Sequence, residues 1–213
     1  MKAAIAFSFI MAMTAAGPAT LAAEKDAPAR LWVRLQDERR NPITARVYLR
    51  GEDGKYHVPD GSLGRGRKER FFHARGHFQL TLPPARYSVE AVKGFEYRPV
   101  SKDINLNYIE LQDRTTMETI TLKRLVDMPA LGWFSGDVHM HPNHREGGLY
   151  MTPDDCQLVA AGEDIRVANL LISNRQYTTR VFDTEFFRDG VVDPASTDES
   201  MMVVQEEFRN TSD

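Results

Sequence analysis

Histidine is concentrated in one short stretch of the chain. Three of the six histidines, His139, His141 and His144, fall within six consecutive residues. The spacing of His139 and His141 places both side chains on one face of a β-strand, where two imidazole nitrogens can bind one metal ion. Asp137 precedes His139 by two residues and could accept the ring N–H of a ligating histidine. The Asp-x-His-x-His pattern therefore favours a metal site over its alternative, two histidines that occur together on a strand by chance.

The residues around this motif predict a strand, a helix and a second strand. Residues 133–141, WFSGDVHMH, have the pattern of a buried strand that ends in polar residues. Thr152, Pro153 and Asp155 predict a helix start with a capping box, and the helix would run to about Gly162. Residues 165–172, IRVANLLI, follow as a largely apolar strand. This order is typical of a parallel α/β architecture, whose sites form at the carboxyl ends of the strands, where the two histidines lie.

Several segments of this region resemble one family. Residues 132–141, GWFSGDVHMH, resemble the opening of the CehA/McbA-type metallohydrolases, which belong to the polymerase-and-histidinol-phosphatase (PHP) superfamily. The residues TPDD at 152–155 and GEDIRVANLL at 162–171 match the helix start and the strand that follow in that family. The residues QEEFRN at 205–210 resemble its Q-E-F-R-N segment. The resemblance covers residues 132–210.

This resemblance implies a distorted β/α barrel that holds one to three divalent ions and hydrolyses phosphoesters or other ester-like bonds. It implies that His139 and His141 are ligands of one ion, that Glu207 bridges metals and that Asp137 orients a ligand in the catalytic site. A bound ion would lower the pKa of its water and polarise the scissile group. Imidazole and carboxylate ligands suit zinc, manganese or iron, and the sequence does not choose among them. For Glu163 and Asp164, ordinary polarity at a helix end is preferred over a role in the site.

Two features depart from the superfamily pattern. Many members end the second strand in T-D-H, where the aspartate and the histidine contribute to the metal site, whereas residues 173–175 here are SNR. Members also continue after Q-E-F-R-N with a Gly-His and further βα units, and an eightfold β/α barrel takes about 250 residues. We therefore expect residues 126–213 to form an incomplete PHP-like domain that is weakly active or inactive in this form.

Residues 27–125 predict an antiparallel β-sandwich. Short alternating runs of apolar and polar residues recur with turns between them and without a helical period, at 31–35, 46–49, 77–82, 87–92, 104–111 and 117–125. The residues FQLTLPPARYSVEA at 78–91 resemble the carboxypeptidase-regulatory-like, transthyretin-type module, with Ala85 where glycine is usual. That resemblance implies an accessory domain without chemistry of its own. The expected fold class is therefore β plus α/β, a sandwich followed by the first part of a PHP-type barrel.

Other polar residues of the sandwich half are expected to have no role in a site. The basic stretch at 64–70, GRGRKER, is expected to be a solvated loop rather than a contact for an anion or a polysaccharide. His57, His73 and His77 have no partner spacing and are expected at strand edges.

The amino terminus predicts export. Residues 1–23 combine a lysine at position 2, a run of small and apolar residues and a small-residue end, which is the pattern of a secretory signal peptide cleaved after Ala22 or Ala23. The alternative is an uncleaved membrane anchor, although the run is short for a bilayer span. A secreted or periplasmic location without a membrane span follows. A formal net charge of −3 gives no reason to expect nucleic acid as a partner. The single cysteine, Cys156, is expected to be a buried small hydrophobe, a free thiol or a crosslink to another chain.

Two functions fit these patterns. The leading one is a secreted or periplasmic hydrolase that acts on a small-molecule ester through metal-activated water, with a zinc, manganese or iron ion as cofactor. The alternative is a non-catalytic binding or envelope protein, in which the sandwich binds a partner or a glycan and the metal domain is degenerate.

Overall fold

A computed structural model describes residues 27–63, 70–107, 114–144, 149–173 and 192–207 of the chain. The regular elements of these residues are β1 (Ala29–Gln36), β2 (Thr44–Gly51), β3 (Phe72–Arg75), β4 (His77–Leu82), β5 (Arg86–Val92), β6 (Val100–Asn105), β7 (Thr115–Thr121), a short 3-10 helix (Pro129–Leu131), β8 (Gly136–Met140), β9 (Asn143–His144), β10 (Leu149–Tyr150), α1 (Pro153–Gly162), β11 (Val167–Ser173) and β12 (Met201–Glu207). The signal peptide expected at residues 1–23 lies outside the described residues, as does most of the basic stretch at 64–70. In the part of the chain that is described, no helix has the length and hydrophobicity needed to cross a bilayer.

The first seven strands form two sheets that pack as a β-sandwich. One sheet has the strand order β4-β1-β7 and the other has the order β3-β2-β5-β6. Alternate residues of β1, Leu31, Val33 and Leu35, are fully buried between the sheets, and Val47 and Leu49 of β2 face them from the other side. The rings of Phe72 and Phe78 meet edge to face, 5.0 Å apart. The β-rich sandwich predicted from alternation is confirmed.

The prediction that the sandwich is entirely antiparallel is wrong at one edge. β7 runs parallel to β1, in a register from Arg30 opposite Thr115 to Gln36 opposite Thr121. The chain passes from the edge strand β6 of one sheet to an edge of the other sheet, where β7 lies beside β1 in the same direction. This pairing buries Ile120 in the sandwich core.

Strand positions at the edges of the sandwich also differ from the prediction. β6 spans Val100–Asn105 and so begins earlier than the predicted run at 104–111, because it pairs with β5 through a polar run in which the core contact comes from Ile104. Residues 108–111 of that prediction lie outside the described residues. β7 spans Thr115–Thr121, so it begins and ends earlier than the predicted run at 117–125. β3 (Phe72–Arg75) was not predicted, since four residues are too few to show a period of two.

The second half forms a parallel sheet with the order β12-β11-β8, and α1 connects β8 with β11 along the chain. The predicted βαβ unit is therefore confirmed. The predicted helix start is confirmed as well: the backbone N–H of Asp155 donates to Thr152 Oγ1 at 3.2 Å, and the backbone N–H of Thr152 donates to Asp155 Oδ2 at 2.9 Å. The helix ends at Gly162, as expected.

The α1 side of this sheet is buried, whereas residues of β8 and the segment before it are exposed. Cys156 and Ala160 of α1 pack against buried residues of the other strands, namely Ala168, Leu170, Met202 and Val204. Residues 133–141 were expected to form a buried strand, and this expectation is wrong. α1 covers only one face of the sheet, and several residues of this segment are exposed. Trp133, Phe134 and Val138 are 69%, 63% and 79% exposed.

The two halves meet at the carboxyl end of α1. Glu163 Oε1 lies 3.0 Å from Arg46 Nη1 and 2.8 Å from His73 Nε2, both on the sandwich. His73 belongs to β3, the edge strand of its sheet, so the predicted strand-edge position is confirmed. Its side chain is nonetheless only 6% exposed, because the end of α1 covers it. Asp164 is also buried, 3.9 Å from Lys93 Nζ. The two acids at the end of the helix therefore join the halves, which is more than ordinary helix-end polarity.

Candidate metal centre

The histidine motif lies on an irregular part of β8. In the pairing of β8 with β11, Ala168 lies opposite Asp137 and Leu170 lies opposite Met140, so three steps along β8 match two steps along β11. The extra residue makes a β-bulge, which disrupts the ladder locally and changes the direction of nearby side chains. Asn169 is the residue of β11 that lies opposite the bulge.

The two imidazoles of the motif lie close together beside the bulge. Nε2 of His139 lies 3.1 Å from Nε2 of His141, and the ring planes are 73° apart. Two imidazole nitrogens that bind one tetrahedral zinc ion at about 2.0–2.1 Å would lie about 3.3 Å apart. The two rings therefore have nearly the separation that one ion requires.

The ring of His141 has a defined tautomer. Its Nδ1 lies 3.2 Å from the carbonyl oxygen of Leu171, and because a carbonyl can only accept, Nδ1 carries the proton and donates. In a neutral ring Nε2 then has the lone pair that a metal needs. A metal-binding histidine usually binds the ion through one ring nitrogen. The N–H of its other ring nitrogen then donates to a backbone carbonyl or a carboxylate, which fixes the orientation of the ring.

Asp137 contacts the motif through the backbone. Its Oδ1 accepts the backbone N–H of His139 at 3.0 Å. The sequence suggested a hydrogen bond with an imidazole N–H, which requires Asp137 on the same face as the rings. The bulge between Asp137 and Met140 changes that alternation, so the carboxylate orients His139 through its peptide group.

The sequence did not indicate a role for Asn169 of β11. Its Nδ2 donates to the carbonyl oxygen of Val138 at 2.9 Å and lies 3.5 Å from Oε1 of Gln205 on β12. Its Oδ1 is buried and has no hydrogen-bond partner among the described residues. One feature of the sequence could have indicated this role: Asn169 is the one polar residue within the apolar run VANLLI.

Glu207, the third proposed ligand, is the last residue of β12 and lies opposite Ser173 in the backbone register. It therefore lies at the same, carboxyl end of the parallel sheet as the two histidines. The side chains of Glu207 and Ser173 are outside the described residues, as are residues 174 and 175 of the SNR segment. Glu207 stays a prediction.

Within the described ranges, no group of three or more His, Cys, Asp or Glu side chains lies close enough to hold a metal ion. Glu163 and Asp164 lie at the carboxyl end of α1, which leads into the amino end of β11, and they contact sandwich residues there. The described part of the centre is thus a pair of imidazoles held by Asp137, Asn169 and the Leu171 carbonyl.

Comparison with known proteins does not assign a family. No family model matches the chain, and no curated protein matches it. Among solved structures, it is similar to BcpA, the major pilin subunit of Bacillus cereus, with 16% identity, a TM-score of 0.32 and coverage of 46% of this chain and 30% of that one. For the group B streptococcus pilus 2b backbone protein, the identity is 13%, the TM-score 0.37 and the coverage 47% and 43%. For phospholipase PlaB from Legionella pneumophila in complex with thio-NAD, the identity is 19% and the TM-score is 0.29, and the match covers 46% of this chain and 27% of that one. The chain thus spans less than half the length of each, and at these TM-scores the similarity supports no conclusion about function.

Proposed function

We propose that the chain is part of a secreted or periplasmic metal-dependent hydrolase whose centre lies at the carboxyl end of β8. The observation that carries the proposal is the pair of Nε2 atoms of His139 and His141, 3.1 Å apart. The hydrogen bond of His141 Nδ1 with the Leu171 carbonyl supports it, because it leaves Nε2 as the ligand atom.

In this proposal His139 and His141 hold one divalent ion, and Glu207 supplies a carboxylate from the end of β12. Zinc, manganese and iron all accept such ligands. When bound, the ion supplies Lewis-acid chemistry, which activates water for attack on a phosphoester or another ester-like bond. Asp137 holds the backbone of His139 and so keeps its ring directed at that of His141. The substrate is a small-molecule ester, and nothing in the charge of the chain favours nucleic acid.

We expect this chain alone to show little or no hydrolase activity. Catalytic zinc sites use about three protein ligands and keep one position open for water or substrate. The described residues supply two imidazoles. Metal binding and hydrolysis are therefore separate measurements, and the first tests the proposal directly.

The experiment is elemental analysis of the purified chain after it has been loaded with zinc or manganese and desalted. We expect about one equivalent of metal in the wild-type chain and a large loss in the His139→Ala/His141→Ala double variant. The matched control is His57→Ala/His77→Ala, which removes two histidines of the sandwich and should keep the metal. Unchanged content in the first double variant, or no stoichiometric metal in the wild-type chain, would refute the proposal.

A second candidate is a non-catalytic binding protein with a degenerate metal domain. The observation that favours it is that the described residues bring together no third ligand. Assays with bis(p-nitrophenyl) phosphate and p-nitrophenyl acetate separate the candidates in a form of the protein that retains metal. Turnover that disappears in the His139→Ala/His141→Ala variant favours the hydrolase. Stoichiometric metal without turnover fits both candidates, because the hydrolase is expected to have little activity in this form.

A further inference from the structure

We propose that Asn169 and Asp137 act as a two-point clamp on the peptide group between Val138 and His139, and that this clamp sets the position of the His139 ring. The carbonyl of Val138 and the N–H of His139 belong to the same peptide unit. Asn169 Nδ2 donates to its oxygen at 2.9 Å, and Asp137 Oδ1 accepts its N–H at 3.0 Å. The inference rests on the proposed function, since it assigns positioning residues to the proposed site.

The clamp is needed because the peptide lies in the bulge. Regular ladder hydrogen bonds fix peptide planes in a sheet, and a bulge interrupts them. The register of β8 shifts between the partners Ala168 and Leu170, which places Asn169 beside the irregular peptide. Two side chains from different strands thus fix both polar ends of this peptide group. With both polar ends of the peptide group held, the backbone from which the side chain of His139 projects is fixed.

Asn169 has features that a purely stabilising residue would not have. Its neighbours on the strand, Ala168 and Leu170, are buried and apolar. Its Oδ1 is buried without a partner among the described residues, and burial of an unsatisfied acceptor is unfavourable. An apolar side chain of similar size at this position would avoid that cost. The amide is therefore explained by the peptide that it holds rather than by the packing of the sheet.

The test compares Asn169→Leu with Asn105→Leu. Leucine approximates the size of asparagine but removes the donor to Val138. Asn105 is a matched control, because it also makes a hydrogen bond with a backbone group, accepting the N–H of Asn107 at 3.0 Å in the sandwich. The readouts are the zinc affinity by calorimetry and the free energy of unfolding in urea. We expect zinc affinity to fall about 10–100-fold in Asn169→Leu, as for other residues that support a metal ligand, without a matching loss of stability. Asn105→Leu should keep the wild-type affinity.

A second readout needs no metal. With ¹⁵N-labelled histidine, scalar coupling across the Nε2–Nε2 hydrogen bond reports directly whether the two rings remain 3.1 Å apart. We expect the coupling in the wild-type chain and in Asn105→Leu, and its loss in Asn169→Leu. If the wild-type chain shows the coupling but takes up no zinc, the proposed metal function is refuted. The coupling in Asn169→Leu then still shows whether the clamp positions the ring.

Three results would overturn the inference. One is an Asn169→Leu chain that keeps both the zinc affinity and the coupling of the wild type. Another is an equal loss of affinity in Asn169→Leu and Asn105→Leu, which would indicate a general effect on stability. The third is a wild-type chain that shows neither coupling nor zinc binding.

Discussion

Burial differs between the potential metal ligands of the α/β half, Cys156 on one side and the pair His139 and His141 on the other. Cys156 is fully enclosed between α1 and the parallel sheet, and burial raises the pKa of its thiol to about 12. At neutral pH it therefore stays a protonated thiol and packs as a small apolar side chain, as the sequence allowed. His139, in contrast, is exposed at the sheet end.

The enclosed thiol should be nearly inert in the native chain. We expect alkylation of Cys156 by iodoacetamide at pH 8 to be at least about a hundredfold slower in buffer than in 6 M guanidinium chloride, because the thiolate is both scarce and inaccessible. Mass spectrometry of samples taken over time measures the two rates. Equal rates would show that the thiol is exposed and would contradict the packing of α1.

Residue spacing predicted part of the centre. The i, i+2 spacing was enough to bring His139 and His141 together, because it is a local property of one strand. The contact of Asp137 with a backbone N–H and the role of Asn169 depend on a bulge and on a second strand. Neither is visible in the spacing of the motif.

At the scale of elements, local chemistry was predicted better than pairing. The start and end of α1 follow from Thr152, Pro153 and Asp155 and were predicted closely, because capping involves groups within one turn. The parallel pairing of β7 with β1 was not predicted, since it joins residues about 85 positions apart, as between Arg30 and Thr115. The short strand β3 has too few residues for a periodic pattern.

The capping box should contribute measurably to stability. We expect Thr152→Ala to lower the free energy of unfolding by about 1 kcal/mol, because the backbone N–H of Asp155 loses its acceptor. Thr152→Ser keeps a hydroxyl at the cap and should remain near the wild type. Urea denaturation followed by circular dichroism gives both values. A loss in Thr152→Ser as large as that in Thr152→Ala would contradict a role of the hydroxyl.

At the scale of the whole molecule, a buried polar interface holds the sandwich against the α/β half. Lys93 donates to the carbonyl of Ala161 at the end of α1, and Arg124 Nη2 lies 3.6 Å from Asp164 Oδ1. Burial lowers the pKa of Lys93 and raises that of Asp164. The sequence did not predict this interface, because Arg46 and Glu163 are 117 positions apart. The sandwich was expected to be a simple accessory domain, but it has an extensive polar contact with the α/β half.

Glu163 should give the interface a pH dependence. Burial acts to raise the pKa of Glu163, but the hydrogen bond with His73 and the charge of Arg46 lower it overall from its ordinary value of 4.5. A carboxyl group with a lowered pKa in the folded state stabilises the fold above pH 4.5 and loses that contribution as the pH falls through the folded value. We expect Glu163→Gln to be less stable than the wild type at pH 7, by a margin that shrinks below pH 4.5.

Urea denaturation at a series of pH values measures that margin. The control is Glu118→Gln, which removes a carboxylate that pairs with Lys102 within the sandwich, 2.5 Å away, and not at the interface. A margin for Glu163→Gln that is the same at every pH would contradict the ionised role of Glu163.

Close approach of the halves should make Gly162 intolerant of a side chain. A Cβ on Gly162 would lie 2.5 Å from Cδ2 of His73. In an unconstrained helix, replacing glycine by alanine stabilises by about 1 kcal/mol. Here we expect Gly162→Ala to lower the free energy of unfolding by about 1–3 kcal/mol, as for other overpacked contacts.

A double-mutant cycle identifies the cause of that loss. His73→Ala removes the ring that the new methyl group meets, so the loss in His73→Ala/Gly162→Ala should be smaller than the sum of the single losses. Additive losses, or a stabilised Gly162→Ala variant, would show that the halves do not pack closely at this point.

The most direct test of the metal centre is X-ray absorption spectroscopy at the zinc edge of the zinc-loaded chain. We expect nitrogen neighbours at about 2.0–2.1 Å, with the multiple scattering of at least two imidazole rings per zinc ion. We also expect the imidazole signal to disappear in the His139→Ala/His141→Ala variant. A zinc environment without imidazole, or one that is the same in both chains, would contradict the claim that this histidine pair binds the metal.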